Sequence, residues 1–72
     1  MSQALTQEQI KDVLHRLQGL RIEHRDLNEI IEHLSHAPLP DELMLLRMKK
    51  RKLLLKDRIV QLEAVLPPDG QV

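Results

Sequence analysis

The chain contains no cysteine, so a disulfide framework, a thiolate nucleophile and a cysteine metal site are all excluded. Phenylalanine, tyrosine and tryptophan are missing too, which removes aromatic stacking as a way to hold nucleic-acid bases. Only two glycines occur, and no glycine-rich phosphate loop can be built from them. No apolar run approaches the roughly 18 residues of a membrane-spanning helix. The first twelve residues, MSQALTQEQIKD, lack the basic start and apolar core of a signal peptide. The expected setting is therefore the cytoplasm, with no membrane partner.

What is present points to regular helix. Hydrophobic side chains make up 42% of the chain, the proportion of a folded protein rather than a disordered one. Seventy-two residues allow a single domain over 1–72, below the size at which one core comfortably stabilises itself. Eleven basic side chains balance eleven acidic ones, but unevenly. Residues 7–36 carry a net −2 and residues 41–66 a net +3, which favours one segment lying against the other.

Two helices are expected, helix 1 over about 7–36 and helix 2 over about 41–66, with a turn at 37–40, a frayed start at 1–5 and a tail at 67–72. Thr6-Gln7-Glu8-Gln9 has the capping-box pattern at the start of helix 1. From there Ile10, Val13, Leu17, Leu20, His24, Leu27, Ile31 and Leu34 recur at alternating spacings of three and four. Asp12/Arg16 and Arg25/Glu29 are i,i+4 charge pairs, each worth about 0.2–0.5 kcal/mol on a helix. Pro38 disfavours helical geometry at Ala37. Beyond Pro40, Asp41 and Glu42 suit the positive end of a second helix, with Asp41 either capping it or already inside. Its inner stripe is Leu45, Met48, Lys52, Leu55, Ile59, Leu62 and Leu66, and Pro67-Pro68 ends it.

The two stripes can be tested against each other. Folding the chain at the turn sets Leu34 opposite Leu45, Ile31 opposite Met48, and Leu27 opposite Lys52. The series continues with His24 opposite Leu55, Leu20 opposite Ile59, Leu17 opposite Leu62, and Val13 opposite Leu66. Every pair of residue numbers adds to 79, which puts the fold point between Leu39 and Pro40. So consistent a register specifies an all-α fold, an antiparallel two-helix coiled-coil hairpin with helices of matched length, about 40–45 Å.

A second stripe on helix 2 is left over: Leu43, Leu46, Lys50, Leu53, Asp57, Val60 and Ala64. Leu46, Leu53 and Val60 each follow an inner position by one residue, about 100° round the helix. A monomer rarely leaves such a strip in water. The expected answer is a homo-oligomer, dimer or tetramer, in which hairpins assemble into a helical bundle through helix 2. A two-fold centred between Leu53 and Leu54 would set Lys50 of one copy opposite Asp57 of the other. A different protein partner is the remaining occupant.

At MKKRKLLLKDRIVQLEAVL, preceded by EHRDLNEIIEHL and the proline turn, the chain resembles the YdcH-like family of small bacterial helical-hairpin proteins. Met48, Lys49, Lys50, Lys52, Leu53, Leu55, Lys56, Asp57 and Ile59 fall on that family's lysine-rich motif, L-K-K-x-K-L-x-L-K-D-x-I. The resemblance spans roughly residues 20–63. It departs at Met48 for a leucine, at the basic Arg51, and at Leu54 where a charged residue is usual. It implies a helical hairpin and no settled biochemical role.

Candidate chemistry is sparse. A basic face of Lys49, Arg51, Lys56 and Arg58 could meet phosphates, but one turn of helix scatters such a run, and nucleic acid is the less favoured partner. His24 inside the seam reads as a register-fixing polar residue, with a pH-sensitive switch as the functional alternative. His33 and His36, near Asp41 and Glu42, could hold a metal weakly, but the spacing lacks the Glu-x-x-His repeat of bundle sites. No metal or cofactor is expected. Lys52 and Asp57 form no nucleophile–base pair, and a hairpin has no room for a concave pocket, so no enzyme is expected. The reading is an interaction module, with a small nucleic-acid-binding bundle as the alternative.

Overall fold

A computed structural model describes residues 5–67. Helix α1 runs Gln7–Ser35 and helix α2 runs Glu42–Ala64, and the two lie antiparallel against each other as an all-α hairpin. The readings of a frayed start at 1–5 and a tail at 67–72 lie, except at Leu5 and Pro67, outside the described residues.

The ends of both helices are set by local chemistry. Thr6 closes the capping box: its hydroxyl accepts from the Gln9 N–H at 3.1 Å, and its own N–H donates to Gln9 Oε1 at 2.9 Å. At the other end of α1 the carbonyls that no helical N–H can reach find partners nearby. His36 Nδ1 lies 2.7 Å from the Glu32 carbonyl, the His36 N–H donates to His33, and the Ala37 N–H donates to Leu34. The Ser35 hydroxyl donates back to the Ile31 and Glu32 carbonyls. His36 is therefore the cap and not the last helical residue. Asp41 is likewise the cap of α2, its carboxylate accepting from the Met44 N–H at 3.0 Å.

α2 stops two residues short of the expected Leu66. Pro67 has no N–H to give the Glu63 carbonyl, its ring would strike that carbonyl, and it pushes Leu66 out of helical geometry. The last bonds tighten accordingly, with the Val65 N–H on Leu62 and the Leu66 N–H on Glu63, both at 3.2 Å. With 29 residues against 23, the helices are about 43 and 35 Å long rather than matched.

Packing follows the heptad stripe. Ile10, Leu17 and Ile31 of α1 and Leu45, Leu55 and Ile59 of α2 are buried. Val13, Leu20, His24, Leu27, Leu34, Met48, Lys52, Leu62 and Leu66 are half-buried. Outside these positions only Leu5, Glu23, Ala37 and Pro67 among the described residues are half-buried. Ile10 lies beyond the last turn of α2 and is only 6% exposed, and Leu66 and Pro67, just past that turn, are half-buried.

Two ion pairs cross the hairpin, one on each flank of the seam. Arg21 meets Glu63 at 2.6 Å, and Arg51 meets Glu23 at 2.9 Å. Their side chains are about half exposed, so each contributes at most about 1 kcal/mol. The local pairs Asp12–Arg16 and Arg25–Glu29 do not form. Arg25 instead leans towards Asp26 at 4.0 Å, because an exposed pair along one solvated helix gains too little to fix two long side chains.

Two substitutions gauge this packing. Leu17 is 1% exposed at the centre of its layer, so Leu17→Ala should cost roughly 2–4 kcal/mol in denaturant unfolding at fixed protein concentration. A methyl added at Gly19 would meet nothing within 4 Å. Gly19→Ala should therefore stabilise by about 1 kcal/mol, raising the melting temperature by roughly 4–8 °C.

Candidate interaction surface

The inner stripe of α2 faces α1, and the leftover stripe faces water. Leu43, Leu46 and Leu53 are 68%, 65% and 65% exposed, and Val60 about half. Lys50, Asp57 and Ala64 complete the strip and are also exposed. Leu54, more than half exposed, widens it on one side. Taken mid-line to mid-line, the outer stripe stands about 150° from the inner one, given 3.6 residues per turn. The strip therefore lies on the side of α2 turned away from α1. That is farther round than the 100° step from a single inner position suggests.

The basic residues are divided rather than gathered. Lys49 and Lys56 precede Glu63 by two heptads and one heptad and share its flank, on the side of the Arg21 pair. Arg51 and Arg58 are a heptad apart on the opposite flank, and Arg51 is held by Glu23. No single basic face joins all four. The register that sets Glu23 across from Arg51 also sets Ile30 across from Met44 and Arg16 across from Arg58. Arg16 and Arg58 line one open groove floored by Leu20, Leu62 and Val65, and neither pairs with an acid among the described residues.

The remaining polar candidates fall apart in the same way. Lys52 is half-buried between the helices, whereas Asp57 is exposed and accepts from Gln61 Nε2 at 3.3 Å, so the two occupy different faces. His36 and Asp41 are engaged as helix caps. Among the described residues no group of three or more His, Asp or Glu side chains is placed to hold a metal ion. His24 is half-buried within the seam. No helix among the described residues is long and apolar enough to cross a membrane.

A family model described as "Protein of unknown function (DUF465)" matches residues 17–63, more than half of the chain. The chain belongs to the DUF465 family. The matched span takes in α1 from Leu17, the whole turn and α2 up to Glu63, which covers both cross-hairpin ion pairs. It also covers the exposed strip from Leu43 to Val60. No curated protein and no solved structure matches the chain.

Exposed apolar side chains also occur outside the strip. Leu14, Ile22 and Ile30 on α1 belong to three different positions of the heptad and make no continuous line. Periodicity could have found only Ile30, once the register set it across from Met44. The strip on α2 thus groups more exposed apolar side chains at heptad spacing than any other face among the described residues.

The facing arginines yield a direct test of the register. Arg58→Glu should replace a like-charged neighbour of Arg16 with an opposite one, stabilising the hairpin by about 0.5 kcal/mol at low salt. The gain should vanish in an Arg16→Gln background, as read from a double-mutant cycle of unfolding free energies.

Proposed function

We propose that this DUF465 protein is a non-enzymatic interaction module whose working surface is the outward face of α2, and that it self-associates through that face. The observation that carries the reading is the strip of Leu43, Leu46, Leu53 and Val60, exposed on the side of α2 away from α1. Fully burying one leucine contributes about 1.5–3 kcal/mol, so a partner that covers several of them gains enough to offset the cost of association.

The chain is also proposed to be a YdcH-like protein, on the strength of the lysine-rich motif between Met48 and Ile59. A nucleic-acid function for Lys49, Arg51, Lys56 and Arg58 has less support, because the four stand on opposite flanks and Arg51 is already paired. The two readings separate cleanly by salt. Association through leucines should persist as ionic strength rises, whereas phosphate binding falls steeply with it.

Molar mass by light scattering after size exclusion, detected by refractive index over a hundredfold concentration range, tests the reading. A mass above 8.4 kDa that persists in high salt and falls to the monomer on Leu53→Asp is expected. A native chain that is monomeric throughout would refute self-association.

A further inference from the structure

We infer that the occupant of the strip is a second copy set antiparallel, so that the four helices lie in a row, α1–α2–α2′–α1′, rather than closing into a bundle. The inference rests on the proposed self-association and specifies its geometry. Three observations lead to it.

The first is angular. In a closed four-helix bundle each helix touches two neighbours about a right angle apart, so its two apolar stripes must be about 90° apart. On α2 they are about 150° apart. A partner seated on Leu43, Leu46, Leu53 and Val60 therefore sits nearly opposite α1, with α2 between them. The high exposure of these leucines agrees, since α1 shades none of them.

The second is the charge pattern inside the strip. Its two charged positions, Lys50 and Asp57, are opposite in sign and equally distant from the point between Leu53 and Leu54. A two-fold axis at that point sets Lys50 of each copy against Asp57 of the other, and the contact is made twice. Self-complementarity of this kind is what an isologous interface requires. Neither residue is taken up by an ion pair among the described residues.

The third is that the row has an end. The positions of α1 farthest from α2 are Glu8, His15, Ile22 and Glu29, of which only Ile22 is apolar. No second stripe on α1 continues the assembly, so it stops at two copies.

Spacing separates the row from a bundle. Three interaxial distances of about 8–10 Å put α1 and α1′ about 24–30 Å apart in a row, against about 8–14 Å in a closed bundle. Because the chain has no cysteine, Asn28→Cys provides one spin label per copy on exposed α1, at nearly the height of the two-fold. A dimer by light scattering, with a pulsed-resonance separation centred in the longer range, is expected. A dimer or larger assembly with a separation under about 15 Å would overturn the row and leave self-association standing. A monomer at every concentration would overturn both. For the axis, Lys50→Glu and Asp57→Lys should each weaken the dimer by about tenfold, and the two together should restore it. Equal, uncoupled losses would overturn the placement of the two-fold between Leu53 and Leu54.

Discussion

The rest of the structure depends on the seam between α1 and α2, because among the described residues neither helix packs against another element. Its layers are not equivalent. Lys52 and His24 enter adjacent layers near the middle and are only half-buried. They divide the seam into an apolar block beside the turn, around Ile31 and Leu45, and another at the open end, around Leu17 and Ile59. Polar residues in a coiled-coil seam lower stability but penalise slipped registers. The two ion pairs work in the same direction. Sliding α2 by one heptad so that residue 56 replaced residue 63 would set Arg21 against Lys56 instead of Glu63.

This seam uses only one side of α2, and its fully buried part is thin. Six buried side chains among the described residues make a small core, in line with the general difficulty of stabilising chains of this size alone. The outward leucines are thus a second, uncovered set of apolar side chains on the same helix. Covering them would stabilise the hairpin as well as join it to something, since whatever binds the folded chain alone also favours folding. Folding and any association through this face would be energetically linked through a single helix.

Much of the fold was legible in the sequence because heptad spacing, a proline turn and a capping box each have one structural solution. The constant pairing of Leu34 with Leu45 through Val13 with Leu66 left little freedom in the hairpin. Less legible was where α2 ends, since the inner stripe continues to Leu66 while Pro67 reaches back to disrupt the turn at Glu63. The local pairs Asp12–Arg16 and Arg25–Glu29 had favourable spacing but lost to solvation. Arg21–Glu63 and Arg51–Glu23 had no local signature, and they emerge only once the flanking positions of the register are read across the seam. The strip could be recognised as left over. Its angle from α1 depended on comparing stripe mid-lines rather than neighbouring residues. What would cover it has no signature in the pattern beyond the opposed charges at Lys50 and Asp57.

The proline turn closes one end of the hairpin, so Val65 lies level with Leu14 at the open end, and Thr6 stands eight residues, about 12 Å, farther along α1. Tension applied across these two residues would not slide the helices past each other, which would load all the layers at once. It would peel them apart as a zipper, from Val13 and Leu66 towards the turn, breaking one layer at a time. The hairpin is therefore mechanically weak along its own chain ends. A load applied across the outward face of α2 would avoid that weak direction, because it would pull on the middle of a helix whose caps and ion pairs lie to either side.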